Sequence, residues 1–124
     1  MTSALCERAI SEALTTGRAL LKFISANDAG VTGSHQAGFY LPKPAWEMYT
    51  PFAPTSGRLD KHGVNITWPD GVVRESVVTW YGQKTRSEYR LTRFGKGFPF
   101  LTPDSVGNLL VLIPESRDRF AGYV

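Results

Sequence analysis

The stretch VNITWPDGVVRESVVTWY, residues 64–81, sets β-branched and aromatic residues on either side of Pro69, Asp70 and Gly71. Proline presets the first bend of a turn and glycine accepts positive φ, so this pattern predicts strands over 64–68 and 72–81 joined by a tight turn. Working outward, 109–113 and 119–124 read as two closing strands, and 38–41 as a short strand ended by Pro42. The run 18–25 (RALLKFIS) is mostly apolar and is placed at the centre of the sheet. Residues 27–34 and 51–61 read as loops from their Gly, Pro, Asn and Asp content. A brief helix starts at Pro44, which suits a first helical turn, and carries Trp46 and Met48 into the core. At the start of the chain Leu5, Ala9, Ile10, Ala13 and Leu14 share a helical face; Ser3 or Thr2 caps it and Gly17 ends it. Short strands between turns, with one or two small helices, predict a mainly β fold with small helices (α+β), as a barrel or a sandwich.

The 124 residues suit one domain spanning 1–124. A hydrophobic share of 42% with 12% aromatics excludes a disordered tail. No apolar run approaches the ~18–20 residues of a membrane span, so a membrane partner is excluded. The first residues lack a basic segment before an apolar core, and Cys6 has no cysteine partner. Both features fit a reducing, cytoplasmic setting. The net charge is only +3, but its placement is uneven. Residues 84–96 hold Lys84, Arg86, Arg90, Arg93 and Lys96 against Glu88 alone, which leaves the remainder slightly acidic. A confined basic stripe is the footprint of a polyanion partner, and also a common guard against pairing at an edge strand.

If that window is extended, Lys84, Arg86, Glu88 and Arg90 fall two apart and project from one face. Glu88 would repel phosphates, but base readout needs an acceptor beside the donors. Arginine forks onto guanine and a carboxylate accepts from the cytosine amino group, so the alternation suits G·C pairs in a major groove. The competing reading is a cross-strand ion-pair ladder on a wet face. Arg93 and Lys96, beside Gly95 and Gly97, are placed to bind phosphates, and His35 with Gln36 forms a second polar cluster. Asp70, followed 18 residues on by Glu88, imitates the carboxylate order of a metal-dependent nuclease. Arg90 stands where such a site needs a tunable Lys, and Asp70 is better explained by its turn. No spacing suggests zinc or a catalytic triad, so the chain is read as non-catalytic and without a cofactor. Trp46, Trp68 and Trp80 suit either a core or a protein-interaction face, the core being favoured by their apolar neighbours.

Two separated motifs carry a family resemblance. SANDAG at 25–30, TGSHQ at 32–36 and GFYLP at 38–42 form the first, KTRSEYR at 84–90 and TRFGKG at 92–97 the second. In this order they resemble the N-terminal domain of EcoRII-type restriction endonucleases, over about residues 20–113. The resemblance implies a DNA-binding pseudobarrel, an open seven-stranded barrel also used by a class of plant transcription factors. Such domains grip duplex DNA from the major-groove side with two arms. The first arm would fall on the loop ending at His35 and on Tyr40, the second on Lys84, Arg86, Glu88 and Arg90. Additional or phosphate contacts would fall on Lys22, Asn27, Ser34, Gln36, Tyr89, Arg93 and Lys96. The implied target is double-stranded DNA with a short CCWGG-like site. The implied context is the effector or targeting part of a longer enzyme, whose C-terminal nuclease domain would be the partner that uses magnesium. Tyr89 stands where the family leads one to expect a Lys, which removes a charge, and Phe94 where it leads one to expect a Trp.

Overall fold

The computed structural model describes residues 3–30, 37–116 and 118–124. Helix α1 (Ser3–Thr16) precedes seven strands: β1 (Leu20–Phe23), β2 (Phe39–Leu41), β3 (Leu59–Thr67), β4 (Val73–Tyr81), β5 (Glu88–Thr92), β6 (Leu109–Ser116) and β7 (Arg119–Tyr123). They form one sheet in the order β1-β6-β7-β3-β4-β5-β2. The central hairpin is the one the sequence predicts, although β3 begins at Leu59, earlier than position 64, because it pairs with β4 along its full length from Leu59↔Tyr81 to Thr67↔Val73. Its turn closes by hydrogen bonds from the Gly71 amide to the Trp68 carbonyl at 2.9 Å and from the Val72 amide to Asp70 Oδ1 at 3.1 Å. Gly71 adopts φ 78°, which the turn requires. β3 also runs parallel to β7, the one parallel pairing in the sheet.

Strand alternation explains the core. One face of every strand feeds a single apolar cluster, with Leu20, Phe39, Val64, Ile66, Val78, Tyr89, Leu91, Leu110, Leu112 and Phe120 all buried in it. A sheet whose strands all bury the same side in one cluster curls around it, giving an open pseudobarrel. Trp68 and Trp80 belong to this core at 2% exposure, and Trp46 packs half-buried against it with Met48. The latter two sit in a 3-10 helix over Lys43–Met48, with Pro44 in its first turn. The opposite sides of β6 and β7 bury Val111, Ile113, Ala121 and Tyr123 under α1, which explains why 109–113 is apolar without alternation.

Two expectations are corrected. The 18–25 run forms an edge strand, four residues long, with Leu21 and Phe23 exposed at 57% and 71%. An apolar run does not by itself distinguish a central strand from an edge one. On α1, Ala9 is buried and Leu5 and Ala13 pack with it, whereas Ile10 and Leu14 are exposed. The small alanines give α1 a narrow contact stripe, and Ile10 and Leu14 fall on its flank.

Candidate nucleic-acid interface

The outward face of β3, β4, β5 and β2 carries the basic side chains. Register aligns Lys61 with Thr79, Thr79 with Arg90, and Arg90 with Tyr40, a row across four strands. The adjacent row aligns Tyr81 with Glu88. A groove of about 300 Å3 lies on this face, lined by Lys61, Thr79, Tyr81, Arg86, Arg90 and Arg93 among others. Four of these groups are cationic and no carboxylate lines the groove, so its potential favours an anion.

The window behaves differently from one extended strand. Residues 83–86 turn, with the Arg86 amide bonded to the Gln83 carbonyl at 3.0 Å, and Lys84 takes φ 57°. Lys84 and Arg86 therefore precede β5, and only Glu88 and Arg90 share its outward face at strand spacing. Arg86 joins them by folding back. Its guanidinium lies 3.8 Å from the centre of the Tyr81 ring, and Nε and Nη2 both donate to Glu88 Oε1, at 2.9 and 2.5 Å. A cationic donor and a carboxylate acceptor thus sit side by side, fixed by an aromatic platform. Lys84 stays exposed on the turn.

Tyr89 is corrected as a DNA contact. It faces inward between Glu88 and Arg90 and is fully buried, its hydroxyl donating to the Phe52 carbonyl. Burial holds that hydroxyl protonated, with its pKa pushed up to about 12. Its side is fixed by pairing with Trp80 on β4, a phase the window alone does not reveal.

Arg90 is 4% exposed, and its guanidinium carbon lies over the Tyr40 ring, 4.5 Å from the ring centre. A side chain on Gly38 would meet Arg90 Nε at 2.9 Å and the Leu91 carbonyl at 2.9 Å, so glycine is what lets Arg90 lie there. Asn27 donates to the Tyr40 hydroxyl at 2.8 Å. Lys22 is held in an ion pair with Asp28 rather than projecting outward. His35, Ser34 and Gln36 lie outside the described residues.

After β5 the chain turns sharply, with Arg93 at φ 68°. Ser76 Oγ bonds the Arg93 carbonyl at 2.8 Å, and Phe94 stacks on Phe98 at 4.6 Å beside buried Trp68. The loop is thereby anchored at its base while Arg93 and Lys96 stay exposed. Lys61, Thr79 and Tyr81 were missed by sequence reasoning. Their shared face becomes visible only once β3 is extended back to Leu59.

Asp70 and Glu88 are not brought together. Asp70 sits in the turn before β4, while Glu88 pairs with its last residue, and nine strand residues put them about 25 Å apart. The Arg74 guanidinium, hydrogen-bonded to Asp70, holds its carboxyl below the usual range. Among the described residues no three His, Cys, Asp or Glu side chains group as metal ligands, and no helix is long and apolar enough to cross a membrane. A larger hollow of about 540 Å3 includes Glu47, His62, Glu115 and Asp118 in its lining. His62 and Asp118 pair there at 2.6 Å, and the acidic lining disfavours a polyanion.

Comparison with known proteins gives this arrangement a context. The chain matches the family described as restriction endonuclease EcoRII, N-terminal, over residues 15–120. It is 31% identical to the type II restriction enzyme EcoRII of Escherichia coli, over 74% of this chain and 24% of that enzyme. The chain thus spans about a quarter of the length of this relative. Among solved structures it resembles the B3 domain of the UbaLAI restriction endonuclease, crystallised with cognate DNA. That likeness has a TM-score of 0.56 at 12% identity and covers 98% of this chain and 77% of the other. This likeness supports the pseudobarrel fold alone. A family match over nearly the whole curled sheet settles the relationship: the chain belongs to the EcoRII N-terminal domain family of restriction endonucleases.

Proposed function

We propose that this domain binds double-stranded DNA sequence-specifically from the major-groove side, at a CCWGG-like site. It acts as the non-catalytic effector or targeting domain of a type II restriction endonuclease. The observation that carries this reading is the outward row Lys61–Thr79–Arg90–Tyr40 with the Arg86–Glu88 pair beside it. A carboxylate built into a cationic face suits base readout better than general attraction to phosphate. Arg86, Glu88 and Arg90 take base edges; Lys61, Lys84, Arg93 and Lys96 take the backbone; Tyr40 holds Arg90 level. The cognate DNA of the UbaLAI domain and the enzyme activity of the EcoRII relative support the same partner. Cleavage, with its magnesium, belongs to a C-terminal nuclease domain.

Fluorescence anisotropy of the purified chain against CCWGG and scrambled duplexes at several salt concentrations tests this reading. A preference of about 10³-fold or more is expected, in the range of specific over non-specific binding. Equal affinity for the two duplexes would refute specific readout.

A further inference from the structure

Lys22 is expected from the family resemblance as an additional or phosphate contact, and its pairing with Asp28 points to another task. Asp28 is completely buried. Its Oδ2 accepts from the Ser25 amide at 3.0 Å and meets Lys22 Nζ at 2.6 Å, while its Oδ1 accepts from the Tyr40 amide at 2.9 Å. Lys22 Nζ also donates to the Tyr40 carbonyl at 2.9 Å. Both backbone groups of Tyr40 are therefore held by the two ends of one ion pair. The Asp28 carbonyl further accepts from the Gly38 amide at 2.8 Å, and Ser25 Oγ accepts from the Asp28 amide.

We infer that Lys22 and Asp28 are positioning residues, a buried ionic clasp that fixes Tyr40 as the seat of Arg90. The inference rests on the proposed DNA-binding role of Arg90. An ammonium neutralised at 2.6 Å by a buried carboxylate adds little field toward a phosphate. What it does is tie the edge strand β1 to the opposite edge strand β2, closing the mouth of the open barrel from within. The Tyr40 ring then lies 4.5 Å beneath the Arg90 guanidinium, and Arg90 Nη2 reaches the Asn27 carbonyl at 3.5 Å, one residue from the clasp. Arg90 is thus supported by a ring that cannot drift while the clasp holds.

The two roles predict opposite behaviour for the two partners. If Lys22 contacted phosphate, Lys22→Gln would weaken binding to every duplex and flatten the salt dependence by about one unit. Asp28→Asn would free the ammonium and strengthen binding to every duplex. A clasp makes both substitutions act alike. Each is expected to lower the preference for CCWGG over scrambled duplex by at least about tenfold, the fold-change matching one lost charge-assisted hydrogen bond. Each leaves the salt slope unchanged. Hydrogen exchange supplies a reading without DNA: the Tyr40 amide should exchange faster in both variants while core amides such as Leu110 and Ile113 keep their protection. Asp28→Asn retains an acceptor for that amide and serves where Lys22→Gln fails to fold. A flattened salt slope in Lys22→Gln with intact discrimination, or tighter general binding by Asp28→Asn, overturns the clasp, as does unchanged Tyr40 exchange in both. A wild-type domain without sequence preference defeats the functional reading instead, and exchange at Tyr40 still decides the clasp.

Discussion

Arg86 and Arg90 illustrate how two arginines four residues apart are prepared by unlike means. Arg90 is sunk in the sheet over the Tyr40 ring, whereas Arg86 is half-exposed and held by the Tyr81 ring and Glu88. Preorganisation of this kind lowers the ordering cost of binding. Glu88 partners Arg86, so each satisfies the other, and the proposed base readout would exchange both partners for a G·C edge. Arg86→Ala is expected to cost about 1–3 kcal/mol for the preferred duplex and to relax discrimination at one base pair, as read by anisotropy across single-substituted sites. Spacing in the sequence pointed to Arg86, Glu88 and Arg90 together, for a partly wrong reason. They converge because a turn folds Arg86 back, not because one strand carries all three.

At the scale of elements, the loop after β5 presents only basic charge, whereas α1 exposes the opposite charges of Glu7 and Arg8. Ser76, Phe94 and Phe98 anchor that loop, leaving Lys96 exposed and, among the described residues, without an aromatic or carboxylate partner to aim it at a base. Lys96→Ala should weaken binding to all sequences alike and flatten the salt dependence by about one unit. Helix α1 is tied to the sheet on the far side of the molecule, where Tyr123 donates to Glu12 and Arg8 lies over the Tyr123 ring. Glu115 on β6 shares a hydrogen bond with Glu12, and that bond, with burial, raises its carboxyl above the ordinary value. A raised pKa in the folded state means the contribution is fully present below the unfolded value and is lost as pH rises through the folded one. Stability from this contact therefore fades as pH rises above the ordinary carboxylate range. Glu115→Gln should remove that slope from melting temperature against pH and stabilise the domain at neutral pH without altering DNA affinity.

Across the whole molecule, what was legible in the sequence was local. The hairpin around Pro69–Gly71 declared itself because strand, turn and strand lie within one window, and the charged stretch declared a partner because charge is countable. The start of β3 was hidden because Leu59, Lys61 and Gly63 become a strand only by pairing with β4, and with it went Lys61, Thr79 and Tyr81 of the groove. The edge position of β1 and the inward side of Tyr89 are likewise set by strand order and register, which no short window encodes. Lys22 looked like a phosphate contact because its partner Asp28 is brought to it by the fold of the intervening loop. The family motifs lie far apart along the chain, and the register brings Tyr40 of the first beside Arg90 of the second.

We propose that the outward face of β3, β4, β5 and β2 is the surface that reads DNA. A crystal structure of the domain with a CCWGG duplex tests it most directly. The expected complex sets the major groove against the Lys61–Thr79–Arg90–Tyr40 row, with Arg86 and Glu88 within hydrogen-bonding distance of base edges and Lys22 still paired to Asp28. A duplex bound at the helix α1 side or the His62–Asp118 hollow, with this face free, would contradict it.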